Sequence, residues 1–202
     1  MNTDNAKLLQ DLYKDVLNLK KSPLYTYRTE NKYVPVIGDG NPDADIMFIG
    51  EAPGKNEAIT GKPFCGAAGR ILDELLQSVN INRSDVYISN IVKDRPPENR
   101  DPTPAEIELY SPFLDRQLEI IRPKVIVTLG RFSMDYIMRK FGLVDQLKSI
   151  SFMHGKEFKT KTTYGTISIV PLYHPAVALY QRSQYNAMKQ DFTILKKWTH
   201  DK

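Results

Sequence analysis

Four short segments carry side chains that can do chemistry, and they occur in a fixed order: Gly50-Glu51-Ala52-Pro53-Gly54, Gly61-Lys62-Pro63-Phe64-Cys65-Gly66, Asn90 within Ser89-Asn90-Ile91-Val92-Lys93, and His174-Pro175. Together they supply a carboxylate, an aromatic face, a carboxamide and an imidazole, a set that can hold, read and polarise a nucleobase. The amide of Asn90 offers one donor and one acceptor. Uracil presents N3–H and O4 in the complementary order and cytosine reverses it. A buried amide left unpaired by the wrong base costs roughly 1–3 kcal/mol. An imidazole N–H at His174 suits a carbonyl oxygen on which negative charge develops. Phe64, in a loop expected to be exposed, offers a stacking surface worth roughly 1–3 kcal/mol per base.

Each residue also has a plainer reading. Glu51 equally suits a helix cap or a lysine partner. Phe64 equally suits a loop aromatic tucked into the core, Asn90 a turn cap, and His174 a ring tied to a backbone carbonyl. The stretch from Gly66 leads into a helix whose first N–H groups can face a phosphate, although its glycine spacing, Gly66 to Gly69, is alone a weak signal. Cys65 reads as a packing residue, and His154 and His200 as surface residues without a role.

Three of the four segments sit where an apolar β-run ends, which is where open α/β sheets place their ligands. The runs are 46–49, 86–92, 125–129 and 166–172, the last preceded by 158–163 across a Tyr164-Gly165 turn. Helical periodicity marks 4–20, with Leu8, Leu9, Leu12, Val16 and Leu19 on one stripe. It also marks 68–79, 132–141 and a closing helix through Tyr185, Met188, Phe192 and Leu195. Thr103-Pro104-Ala105-Glu106 combines a capping box with proline at the first helical position. The helix it starts is expected to kink or break at Pro112. The stretch 22–41 reads as mostly irregular. Strands alternating with helices imply an α/β protein with a mainly parallel sheet covered on both faces.

The chain has 202 residues, enough for one domain with a full core. Its net charge of +4 permits a polyanionic partner without requiring one. The single cysteine excludes internal disulfides and cysteine-cluster metal sites. Polar Met1 to Gln10 lacks the pattern of a signal peptide, and no apolar run reaches membrane-spanning length. The expectation is a cytoplasmic monomer without a membrane. No Gly-x-Gly-x-x-Gly follows the first strand, which argues against a dinucleotide-binding oxidoreductase.

Taken in order, the motifs resemble those of the family 4 uracil-DNA glycosylases. The match runs from Gly38-Asp39-Gly40-Asn41-Pro42 through Ile49-Gly50-Glu51-Ala52-Pro53-Gly54 and Gly61-Lys62-Pro63-Phe64. It continues with Lys93, Arg95-Pro96-Pro97, Asn99-Arg100-Asp101-Pro102 and Ile121-Arg122-Pro123-Lys124, and closes with His174-Pro175-Ala176. The resemblance implies one domain over 1–202, a three-layer α/β/α sandwich around a four-stranded, mainly parallel sheet. It implies that uracil in single- or double-stranded DNA is flipped out and its N-glycosidic bond hydrolysed.

By the same resemblance, Phe64 stacks on uracil, Asn90 reads its edge, and His174 binds O2 and stabilises the departing anion. Glu51 stabilises the cationic sugar or positions water, and Glu57 crowds the base C5. Gly50 and Ala52 complete the uracil pocket, Ala52 offering no group to activate water. The resemblance also gives Leu179 as a wedge into DNA, while Gly66 is read as facing a phosphate from its place before a helix, and Arg70, Lys93, Arg95, Arg100 and Arg182 as facing DNA from their charge in or beside the pocket loops. Two further readings on the same fold are a DNA-binding protein without catalysis and a glycosylase for another deaminated base such as hypoxanthine.

One departure is large. The family usually carries four cysteines holding an iron–sulfur cluster, and their motif positions here are Leu19, Ser22, Asp94 and Tyr110. Thiolates normally hold such clusters, so none is expected. Asp94 is expected to enter a hydrogen bond or ion pair instead, and Tyr110 to fill the vacated volume.

Overall fold

The structure, a computed structural model, describes residues 3–198; His200 lies outside them. Four apolar runs form a parallel core of strands: β2 (Ile46–Gly50), β3 (Tyr87–Asn90), β4 (Val125–Leu129) and β6 (Gly165–Leu172), in the spatial order β3-β2-β4-β6. Among the described residues the sheet has six strands where the sequence predicts four. The two-residue β1 (Asp39–Gly40) pairs antiparallel with β3, and β5 (Phe158–Thr162) pairs antiparallel with β6 as a hairpin around Tyr164-Gly165. Both additions lie at the edges, where they cover backbone groups of the parallel core.

The strands are apolar on both faces because both are covered. Phe48, Ile88, Val125, Val127 and Val170 pack on one side with α4 (Ala67–Gln77) and α9 (Gln184–Phe192) through Leu72, Leu75, Leu76, Met188 and Phe192. Met47, Ile49, Ile126 and Ile169 pack on the other with α5 (Pro104–Ile121) and α6 (Arg131–Lys140) through Leu114, Leu118, Met134 and Ile137. The result is the three-layer α/β/α arrangement. Outside α5, a third apolar cluster gathers Leu12 and Val16 of α1 (Thr3–Leu17) with Leu24, Ile37, Val92 and Tyr110. Leu8 departs from the expected stripe and is exposed.

Helix α5 opens with the anticipated capping box, Thr103 Oγ1 accepting from the Glu106 N–H while the Glu106 carboxylate accepts from the Thr103 N–H. It does not break at Pro112. The carbonyl four residues earlier, Glu108, accepts from the Ser111 hydroxyl at 3.2 Å, so the acceptor freed by proline is still satisfied. The stretch 22–41 is also more ordered than its composition suggests, because it contains α2 (Tyr25–Glu30). The remaining α-helices among the described residues are short: α3 (Lys55–Thr60), α7 (Ile150–Met153) and α8 (Val177–Tyr180). Among the described residues no helix is long and apolar enough to cross a membrane.

Candidate active site

The parallel register aligns Gly50 with Asn90 and Leu129 with Leu172. The segments leaving these strands therefore emerge at one sheet edge. Two backbone bonds stitch the β2 and β3 exits together, Ile91 N–H to Gly50 O at 3.1 Å and Val92 N–H to Glu51 O at 3.0 Å. Between these exits and the end of β6 lies a cavity of about 320 Å³. Glu51, Ala52, Glu57, Phe64, Asn90 and His174 all line it. That space suits one base.

Asn90 is 2 % exposed, and its Oδ1 has no hydrogen-bond partner among the described residues. A buried acceptor without a partner is costly, and this one stands at the cavity wall. Lys93 holds its backbone from behind. Lys93 Nζ donates to the Asn90 carbonyl (2.5 Å), to Ser89 Oγ (2.8 Å) and to Gln117 Oε1 of α5 (2.5 Å). Lys93 is 0 % exposed, and burial pushes its pKa well down. The expectation that Lys93 meets DNA is thereby corrected: its Nζ faces the protein interior.

Phe64 is likewise not the exposed loop ring the sequence suggests. It is 5 % exposed, and its backbone takes the left-handed conformation at φ 49°. Helix α4 holds it there. A Cβ on Gly69 would lie 1.8 Å from the Phe64 carbonyl oxygen, so glycine at 69 serves this close approach. Arg83 Nη2 also donates to the Pro63 carbonyl at 2.7 Å. The far edge of the Phe64 ring reaches Gly50, where an added Cβ would meet it at 2.8 Å and Asn90 Oδ1 at 2.3 Å. Gly50 thus leaves room for both side chains.

His174 stands 5.5 Å from Phe64, ring centre to ring centre, with 33° between planes. Its Nδ1 accepts from the Ala176 N–H at 3.2 Å. That fixes the tautomer of a neutral ring, with the proton on Nε2. Burial pushes the pKa down to about 4, so the neutral form prevails at ordinary pH. Gly130, at φ 96°, lets the β4 exit pass beneath His174; a Cβ added there would stand 3.2 Å from the His174 Cβ.

Glu51 has its pKa raised to about 7, chiefly by burial and further by Asp101, while Arg131 opposes the rise. Arg131 is itself ion-paired to Asp101 at the surface. The Glu57 carboxylate lies over Gly54, 2.6 Å from where a Cβ would be, and turns toward Gly66.

Of the remaining residues singled out, Arg70, Leu179 and Arg182 are exposed and outside the cavity wall, and Gly66 is the buried N-cap of α4. Arg100 is exposed but bidentate to Glu106, at 2.6 and 2.8 Å. Arg95 is buried, which corrects its assignment to DNA. Its guanidinium donates to the hydroxyls of Tyr27 and Tyr33 and to Asn99 Oδ1. Cys65 is exposed and does not pack. His154 is more than a surface residue: Nδ1 meets Asp191 Oδ2 at 2.7 Å and the ring lies 4.4 Å from Tyr173. Residues the sequence reading missed are Asn99, which lines the cavity, and Gln117, which supports Asn90 through Lys93. Asn99 stood inside a quoted motif. Gln117 gave no signal in a helix read for its apolar stripe.

The profile of the Uracil DNA glycosylase superfamily matches residues 37–197. The chain is 43% identical to the Type-4 uracil-DNA glycosylase of Archaeoglobus fulgidus over 91% of its own length and 89% of that protein. It is 45% identical to the Type-4 enzyme of Saccharolobus solfataricus, over 96% and 86%. It is 40% identical to that of Thermotoga maritima, over 88% and 86%.

Proposed function

This chain belongs to the uracil-DNA glycosylase superfamily, and from that we infer that it hydrolyses the N-glycosidic bond of uracil in DNA, leaving an abasic site. The single observation that supports the residue roles is convergence. A phenyl ring, an amide with an unpartnered buried acceptor, and an imidazole of fixed tautomer share one base-sized cavity.

In this reading a flipped uracil stacks on Phe64. Asn90 Oδ1 accepts from N3–H, and the amide NH₂ donates to O4. The His174 Nε2–H donates to O2. As the bond between sugar and base breaks, its electron pair passes to the base, and the charge on O2 strengthens the bond from His174. A donor of this kind is preorganised for the transition state, and losing one typically costs roughly 100- to 1,000-fold in rate. The Glu51 carboxylate stabilises the cationic sugar or orients the water that adds to it. Glu57 and Ala52 shape the wall of the cavity. Exposed Arg70 and Arg182 contact phosphates, and Leu179 fills the gap left in the duplex. Extruding the base costs a few kcal/mol, least from single strands. The protein is read as a cytoplasmic monomer acting on single- or double-stranded DNA.

The test is release of base from oligonucleotides carrying one uracil or one hypoxanthine, single- and double-stranded, by the parent, Asn90→Ala and His174→Ala. Uracil release by the parent, reduced at least 100-fold in both variants, is the expected result. Binding without release would identify a non-catalytic member of the fold. Hypoxanthine presents the same donor–acceptor edge, so faster release of it would shift the substrate assignment.

A further inference from the structure

A buried polar network lies at the positions where the family would be expected to hold its iron–sulfur cluster, and it connects to the rim of the cavity. Arg28 Nη1 donates to both oxygens of Asp94, at 3.0 and 2.9 Å, and to the Val16 carbonyl at 3.1 Å, while Nη2 donates to the Leu17 carbonyl at 2.6 Å. The Tyr110 hydroxyl donates to Asp94 Oδ2 at 2.5 Å and shares a 2.6 Å hydrogen bond with Ser22 Oγ, which also accepts from the Leu24 N–H. Ser22, Arg28, Asp94 and Tyr110 are all buried. Three of the four motif positions thus bond to one another, and the fourth, Leu19, packs against the neighbouring apolar cluster. A carboxylate, a phenol, a hydroxyl and an alkyl chain do not fit a thiolate-bound cluster, and Asp94 already spends its lone pairs on an arginine and a tyrosine.

The network is the first of four anchors on one strap. Residues 94–102 leave Asp94, run through Arg95 (held by Tyr27, Tyr33 and Asn99) and continue to Arg100 on Glu106 and Asp101 on Arg131. Within it Glu98 and Asn99 are both left-handed, at φ 56° and 55°. Asn99 lines the cavity. Two consecutive residues in that conformation persist only where the surroundings fix them.

We propose that the Ser22–Arg28–Asp94–Tyr110 network is a metal-independent latch. It joins α1, α2 and α5 to the strap and sets where the strap meets the cavity, so the fold and base release do not depend on iron. The comparison with a cluster rests on the family reading; the latch itself rests only on the contacts above.

The protein should purify without stoichiometric iron, and growth in iron-depleted medium followed by chelation should leave its melting temperature and its uracil-release rate unchanged. Breaking a buried pair by removing one partner is strongly destabilising, so Arg28→Met should lower the melting temperature by roughly 10 °C. Arg28→Met/Asp94→Leu, which leaves no orphaned charge, should regain most of that loss. Its strap should nevertheless stay loose, with tryptic cleavage after Arg100 at least tenfold faster than in the parent and a raised KM for uracil-DNA. Tyr110→Phe keeps the volume and should speed the same cleavage several-fold. Stoichiometric iron, melting that falls on chelation, or parental cleavage and KM in both the double variant and Tyr110→Phe would overturn the latch. Failure of the parent to release uracil would instead count against the proposed function, since cleavage and melting read the latch without a substrate.

Discussion

Gly50→Ala is the sharpest perturbation available, because one methyl group touches both residues assigned to the base. Gly50 is an interior strand residue facing Asn90 across the parallel pair, and its backbone is ordinary, so alanine brings no conformational strain. The Cβ would stand 2.3 Å from Asn90 Oδ1 and 2.8 Å from the Phe64 ring. Relief requires these groups to retreat by about 1 Å to reach normal contact. Neither can do so freely. Asn90 is pinned through its carbonyl by Lys93, and Phe64 is pinned between Gly69 and the core.

Losing the amide's pairing with uracil costs roughly 1–3 kcal/mol, and spoiling the stack costs a comparable amount. A combined penalty of about 2–6 kcal/mol lowers single-turnover release by roughly 30- to 25,000-fold. Overpacking should also lower stability, by roughly 1–3 kcal/mol. Gly142→Ala is the matched control. That glycine is left-handed at φ 71°, and a Cβ added there would meet no other described residue within 4 Å beyond its chain neighbours, so alanine should cost roughly 1–2 kcal/mol of stability and leave the rate alone. The measurements are thermal melts and single-turnover cleavage of a uracil oligonucleotide. A Gly50→Ala rate within threefold of the parent would refute the arrangement of Asn90 and Phe64 around one base.

Glu51, with a pKa of about 7, should make kcat/KM of the free enzyme rise with pH through neutrality if its carboxylate is the working form, and Glu51→Gln should flatten that limb. The stability sign is opposite. A carboxyl whose folded pKa is raised favours the fold while protonated and loses that advantage as pH climbs through about 7. Glu51→Gln should therefore melt above the parent at pH 8 and with it below pH 4. His174, at about 4, should add no rate limb between pH 5 and 8; one that disappears in His174→Ala would show the ring charged in the working enzyme. Arg70→Ala should reduce the slope of log affinity against log salt by about 0.9 on duplex DNA, whereas Lys93→Met should leave the slope unchanged and slow release. A shallower slope in Lys93→Met would return that lysine to the DNA face.

The sheet and its exits were legible because apolar β-runs ending in Gly50, Asn90 and Tyr173-His174 have few other readings. The cavity followed from those exits. Burial of Lys93 and Arg95 did not, since both look like surface charges until Ser89, Gln117 and two tyrosine hydroxyls are seen to accept their hydrogen bonds. Phe64 was misplaced because a loop reads as solvent-facing, and only the close approach of Gly69 shows otherwise. The six-residue α2 was too short for periodicity to register. The unbroken passage of α5 through Pro112 depended on a neighbouring serine, which no propensity scale weighs.

Helix α5 acts as a common spine. Glu106 at its start grips Arg100, Tyr110 one turn later grips Asp94, and Gln117 two turns further supports Lys93 and so Asn90. A displacement of this single rod would be felt at once by the cavity rim and by Asn90. Lesions far from the cavity but along this rod should therefore surface as poorer choice among bases, not merely as earlier melting.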